Sequence, residues 1–236
     1  MHQPICIAPL VGLLLAGLSL PWLPSRSLAQ AAMLPAIDGG AMHVPVTSLR
    51  QVRLTHTVRQ QYDFSCGSAA VATLLTYHYG HPVTEAEVFE QMFQDGDQDR
   101  IRQEGFSLLD MKRFLASRGF EADGFQLPLD KLADQQTPAI VLLNERGYMH
   151  FVVVKGMRGQ RVLLGDPANG TRAVSRTEFE AAWPSRLLFV IHSHLRTARF
   201  NQPADWQMSP QAPLSAAVSR DSLQGITLPK HGPGDF

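Results

Sequence analysis

Cysteine, an excess of either charge, and long apolar runs are all scarce in this chain of 236 residues, and each scarcity excludes something. Lys+Arg and Asp+Glu are equal at 21 each, so no net field exists to gather nucleic acid or an anionic membrane surface. There are only 2 cysteines, Cys6 and Cys66, too few for a disulfide framework or a paired-cysteine zinc site. The chain has no H-E-x-x-H pattern and no phosphate-binding P-loop, so neither a zincin nor an ATP-driven activity is signalled. What remains is an ordinary globular composition, 44% hydrophobic and 18% charged, long enough for one domain with flanks.

The one long apolar run is at the N-terminus. Residues 5–20 carry no charge and are followed by Pro21 and Pro24. Two stretches then place small residues at the −3 and −1 positions, Ser27-Leu28-Ala29 and Ala29-Gln30-Ala31. This is the layout of a secretory signal over residues 1–31, cleaved after Ala29 or Ala31 and leaving an exported protein. The n-region is thin, with His2 and the free amine alone, and an uncleaved membrane anchor is the other reading. Removal of the signal takes Cys6 with it and leaves Cys66 as a lone thiol, either buried and inert or reactive.

The rest of the chain reads as helices followed by strands. Residues 32–52 form a leader into the domain, and a strand is expected near Val52–Val58. Val71, Leu74 and Leu75 give a helix face from Cys66 to Tyr79, ended by Gly80 and Pro82. Thr84 to Glu87 spells a capping box that opens a helix through about Phe93. In Gln94–Glu104, Asp95, Asp97 and Asp99 alternate as in a calcium loop. However, Arg100 takes the glycine position and Phe106 the terminal glutamate position, so a solvated loop is expected. Ser107 opens a further helix that Gly119 closes, and Leu129–Ala133 forms a short one. Strands are expected at Ala139–Leu143, Met149–Lys155 and Arg161–Leu164, the last two as a hairpin around Gly156–Gly159. Ser175 caps a short helix, and Leu187–Ile191 is a final strand. This order gives an α+β domain over residues 53–196. Residues 197–236, rich in Pro, Ser and Gln, read as a disordered tail.

Cys66 begins a helix, where the macrodipole favours the thiolate that a thiol needs in order to react. Among the histidines, His150 stands apart because it starts a hydrophobic strand after the turn Asn144–Gly147. Alone it reads first as a half-buried strand histidine. Asp166-Pro167 ends the returning strand, and antiparallel pairing brings that end back toward His150, where a carboxylate can hold an imidazole in one tautomer. Alone, Asp166 is a common turn residue before proline, with Asn169 a weaker substitute for its role. Gln60, six residues before Cys66, is a neutral donor suited to an oxyanion hole, although Gln61 beside it is chemically equivalent.

Taken together, Gln60-x5-Cys66-Gly67, His150-Phe151-Val152-Val153-Val154 and Asp166-Pro167 resemble the C39 peptidases. These are papain-like cysteine peptidases best known as the leader-cleaving domains of bacteriocin exporters. The resemblance covers about residues 53–192 and includes Gly105–Leu109 and Leu127–Leu129. It implies a papain-like fold with helices packed on an antiparallel sheet, a protein or peptide substrate, and no cofactor. It also implies roles for four residues: Cys66 as nucleophile, His150 as base and acid, Asp166 as orienter and Gln60 as oxyanion donor. Leader-cleaving relatives prefer a pair of small residues, often glycines, before the cut. The chain departs from the family pattern at Ser65, where the family usually has Asp, and in showing no transporter spans or P-loop. It is thus similar to stand-alone exported relatives that accompany secreted functional amyloid. That likeness implies a periplasmic enzyme, membrane-associated if the signal is retained, with amyloid subunits and their outer-membrane pore as partners. Two other readings stay open, a non-catalytic leader-binding module and a papain-like cell-wall amidase.

Overall fold

The computed structural model describes residues 30–35, 41–46 and 48–208 and divides the chain at Thr47 into two units. The signal run lies outside the described residues. In the first unit, β1 (Gln30–Pro35) and β2 (Ala41–Val46) pair as an antiparallel hairpin. No helix among the described residues is long and apolar enough to cross a membrane.

The second unit runs from helices into a sheet. Its elements are α1 (Leu49–Arg53), α2 (Cys66–Thr73), α3 (Glu85–Asp95), α4 (Gln98–Glu104), α5 (Leu108–Ser117), β3 (Ala122–Gln126), α6 (Asp130–Gln135), β4 (Ala139–Glu145), β5 (Tyr148–Arg158), β6 (Arg161–Asp166), β7 (Gly170–Ser175), α7 (Arg176–Ala182), β8 (Leu187–Ile191) and α8 (Pro203–Gln207). One π-turn, Leu74–His78, extends α2. The six strands β3 to β8 form one sheet in the order β3-β8-β4-β5-β6-β7, with every neighbouring pair antiparallel.

Most helix starts follow from side-chain caps. Ser48, Thr84, Asp97, Ser107 and Ser175 each accept a hydrogen bond from the backbone N–H three residues on. Ser107–Asp110 and Ser175–Glu178 close the full reciprocal box. At Thr84 only the hydroxyl half forms. Helices α2, α6 and α8 begin without a side-chain cap; at α2, Ser65 instead bonds Tyr62 N and O.

The sheet is buried on both faces, which is why its central strands read as unbroken apolar runs. Against one face lie α2, α3 and α5, packing Val71, Leu74, Met111 and Phe114 with Ile140, Val153 and Phe189. The other face holds Leu132, Val152, Val154, Leu164, Phe179 and Trp183. Every residue of α2 is buried, so the helix that carries Cys66 has no solvent face.

Four expectations are corrected. The strand expected at Val52–Val58 is α1 and a turn. Ser48 caps a helix there, and the Val58 N–H donates to Thr73 Oγ1 at 2.9 Å rather than to a strand partner. The loop expected at Gln94–Glu104 contains α4. The alternating acids are helix-start chemistry, with Asp97 as cap and Arg100–Glu104 and Asp99–Arg102 paired along the helix. The β5–β6 hairpin turns at Gly159-Gln160, because β5 runs on through a bulge at Val154/Gly156 to Arg158. Residues 198–208 are packed on the domain rather than belonging to a tail, with Phe200, Asp205 and Trp206 buried. Strands β3 and β7 had no sequence signal of their own.

Candidate active site

The site lies where the start of α2 meets the ends of β5 and β6. Cys66 opens α2, a free cysteine 8% exposed. The uncapped first turn leaves its amides without a side-chain acceptor, and the dipole of the helix points at the sulfur.

His150 sits two residues into β5 and Asp166 closes β6, sixteen residues on, and the pairing of the two strands brings them together. His150 Nε2 meets Asp166 Oδ1 at 2.8 Å, with both side chains buried. The carboxylate is held firmly. It accepts from the backbone N–H groups of Ala168 and Asn169, from Asn169 Nδ2, and from Arg172 Nε at 2.8 Å. Arg172 also pairs with Glu145 on β4. Burial alone would favour neutral Asp166, but hydrogen bonds from His150 and Asn169 and the Arg172 charge hold it well below the usual carboxylate range.

The other ring nitrogen, Nδ1, is buried and has no hydrogen-bond partner. The Cys66 thiol lies beside this ring, outside normal hydrogen-bond geometry but close enough to favour the imidazolium. Burial works against the charge on His150. The Asp166 hydrogen bond, the Cys66 contact and the Asp166 charge outweigh it and lift the histidine to about 9. A thiol next to an imidazole that readily takes a proton, and that is aligned by a buried carboxylate, can act as a nucleophile–base pair.

Gln60 reaches the site from the chain before α2. Its backbone N–H donates to Pro167 O at 3.0 Å, which ties it to the turn after Asp166. Its Nε2 donates to Tyr62 O at 3.1 Å and, more loosely, to Asp63 O at 3.5 Å. Its Oε1 is buried without a partner. An amide nitrogen carries two hydrogens, and a ligand oxygen would take the one now spent on the longer Asp63 contact. The structure thus groups Cys66, His150 and Asp166 directly and anchors Gln60 beside them. Asn169 serves Asp166 rather than replacing it.

Tyr148 has no sequence signal. Its ring stacks on His150, with centroids 5.7 Å apart, and its hydroxyl donates to Asp63 O at 3.1 Å. Arg172 was also missed, because it lies on the unanticipated β7. Only the period-2 position of Tyr148 relative to His150 could have marked it. An open groove of about 770 Å³ runs past Cys66, Phe64, Leu109, Tyr148 and Met149, and the last three are exposed apolar or aromatic side chains.

Comparison with known proteins follows the same outline. Residues 55–194 match the model of the Peptidase C39 family. The chain is 42% identical over 165 residues to "Probable functional amyloid protease FapD" of Pseudomonas aeruginosa, covering 69% of this chain and 73% of that protein. It is 36% identical over 205 residues to the protein of the same name in Pseudomonas fluorescens, covering 86% of this chain and 88% of that one. Among solved structures, it resembles a double glycine motif protease from an AMS/PCAT transporter in complex with the leader peptide. That likeness is 26% in sequence, with TM-score 0.47, over 57% of this chain and 88% of that chain.

Proposed function

This chain belongs to the peptidase C39 family and is a cysteine peptidase, and we propose that Cys66, His150, Asp166 and Gln60 are the residues that do its work. In this reading His150 Nδ1 takes the Cys66 proton, and the thiolate attacks the scissile carbonyl carbon. The oxyanion is received by the backbone amide of Cys66 and by the Gln60 Nε2–H that leaves its longer contact with Asp63 O. His150 then gives its proton to the departing amine as the C–N bond breaks. Water, deprotonated by the same imidazole, hydrolyses the thioester and restores the thiol. Asp166 stays ionised and holds the ring through Nε2. The carrying observation is that a carboxylate-held imidazole with one unpartnered nitrogen lies beside the chain's lone described thiol.

The substrate in this reading is a secreted protein or a leader peptide, tied to the export or assembly of amyloid subunits. The names of the two Pseudomonas relatives support it, as does the open groove of about 770 Å³ that Cys66 helps to line. The signal-like residues 1–31 support an exported, periplasmic enzyme whose partners include the amyloid subunits and their outer-membrane pore. The test is incubation of the purified chain with a secreted amyloid subunit and with a peptide bearing two glycines before the cut. Cleavage of at least one by the wild type and of neither by Cys66→Ala is expected. Equal cleavage by Cys66→Ala would sink the assignment of the nucleophile. Cell fractionation tests the location, and a cytoplasmic chain with residues 1–31 intact overturns it.

A further inference from the structure

A second buried polar cluster lies deeper along β5. Lys155, fully buried, sends Nζ to His56 O at 2.8 Å, to Asp205 Oδ1 at 3.0 Å and to Thr171 Oγ1 at 3.5 Å. Asp205 Oδ1 also meets His56 Nδ1 at 2.9 Å. His56 is therefore held twice, by its carbonyl through Lys155 and by its ring through Asp205. The next residue, Thr57, shares a 2.8 Å hydroxyl contact with Thr171 on β7.

Asp205 comes from a segment outside the family match, which ends at residue 194. Residues 198–208 lie across the bulge of β5 as a strap. Arg199 N–H donates to His78 O, Asn201 N–H donates to Lys155 O at 2.9 Å, and Asn201 Oδ1 accepts from Met157 N at 2.7 Å. Arg158 stacks on Trp206 at 4.6 Å. The approach demands glycine beneath it, because a Cβ on Gly156 would fall 2.4 Å from Asn201 Oδ1 and 3.1 Å from its Cα.

The segment clamped in this way leads directly to the site. From His56 the chain passes Thr57 and reaches Gln60, whose N–H is bonded to Pro167 O. It packs on the β6–β7 corner that carries Asp166. A Cβ on Gly165 would lie 3.0 Å from Lys155 Cδ and 3.3 Å from Thr57 Oγ1. A Cβ on Gly170 would lie 2.8 Å from the Arg53 backbone. So one short stretch, residues 53–60, is pressed between the corner and the strap, and Gln60 is its free end.

We infer that Asp205 and His56 are positioning residues for the peptidase reaction, through which the strap sets the place of Gln60 and hence of the oxyanion. The inference rests on the reading of Gln60 given above. It predicts an effect on turnover that spares the thiol–imidazole pair, because the His150 ring is held by Asp166 and the stretch bonds α2 only at Thr73, the end far from Cys66.

The experiment uses the full chain, its Asp205→Asn, His56→Ala and Gln60→Ala variants, and the two double variants with Gln60→Ala. His56→Ala keeps the Lys155–Asp205 pair, so it stays informative if Asp205→Asn does not fold. Turnover is read on a fluorogenic Gly-Gly peptide, or on another peptide the wild type cleaves, and the thiol on iodoacetamide alkylation against pH. The expected result is a kcat about tenfold lower for either single variant, with KM and alkylation near wild type. Each double variant should fall no further than Gln60→Ala alone. A wild-type kcat in His56→Ala overturns the inference, as does a loss that multiplies in full with that of Gln60→Ala. Slowed alkylation also overturns it, because the strap would then act on the thiol pair. If Gln60→Ala itself turns over normally, the Gln60 reading fails instead, and that result is distinguishable because it needs no strap variant.

Discussion

Two histidine–carboxylate–cation clusters, each with a buried carboxylate, sit five positions apart on β5, and they differ in what they leave unpaired. The outer one joins His150, Asp166 and Arg172, and the inner one joins His56, Asp205 and Lys155. The ingredients are the same in kind. In the outer cluster the imidazole keeps one buried nitrogen free and turned toward a thiol beside an open groove. In the inner cluster the cation is the fully buried member, bonded to a main-chain carbonyl, a carboxylate and a hydroxyl, with no nucleophile at hand. The comparison teaches that a buried ion pair becomes chemistry only where one polar atom is withheld from the network. Where the buried charge spends all its donors on neighbours, as the Lys155 ammonium does, the pair fixes a backbone.

Five measurements can break or sharpen that contrast. Cys66→Ala removes the partner of the free nitrogen and should reduce peptide cleavage by roughly a thousandfold or more, leaving only background. An unchanged circular dichroism spectrum would show that the fold survives. Asp166→Asn keeps the shape of the outer cluster and loses its charge. A fall in kcat of roughly a hundredfold or more is expected from the lost alignment.

The pH dependence follows from the same pair. His150 is raised from 6.5 to about 9, so its charged form, and the stability the pair adds, is fully present below 6.5 and lost as pH rises through 9. The alkaline limb of kcat/KM and of thiol alkylation should lie near 9 in the wild type. In Asp166→Asn it should move toward 6.5, and a limb that stays in place would detach Asp166 from His150. Lys155→Met leaves buried Asp205 with His56 alone and should cost about 3 kcal/mol in urea denaturation. The alkaline limb should stay at about 9 in that variant, and a shift would mean that the two clusters are one electrostatic unit. The smallest effect is expected for Tyr148→Phe, which loses the hydroxyl bond to Asp63 O but keeps the stack on His150. A loss of about 1 kcal/mol, or several-fold in kcat/KM, is the expectation.

Around the outer cluster, the thiol, the imidazole and the carboxylate were readable in sequence because each lies where a simple pattern ends, whereas Arg172 on β7 was not. Cys66 stands at a helix start, His150 at the head of an apolar strand, and Asp166 at the close of the returning strand. The inner cluster was not legible. Lys155 looked like the polar end of a strand, whereas β5 continues through a bulge and buries it. Asp205 lies in a stretch whose Pro and Gln content suggested disorder, yet Phe200 and Trp206 seat that stretch on the domain. Composition reports the average of a segment, and here two aromatic anchors and one charge decided the outcome. The acidic stretch before Gly105 failed similarly, because alternating aspartates belong to helix caps as readily as to ligand loops.

The strap also changes where this molecule can be cut. A chain ended at residue 194, where the family match stops, would strip the cover from Lys155 and empty the seats of Phe200 and Trp206. Its product would present a bare apolar face around an unneutralised ammonium, and precipitation on expression is the expected fate. For anyone building a fusion, a split reporter or a minimal enzyme from this sequence, the C-terminal joint belongs beyond Met208.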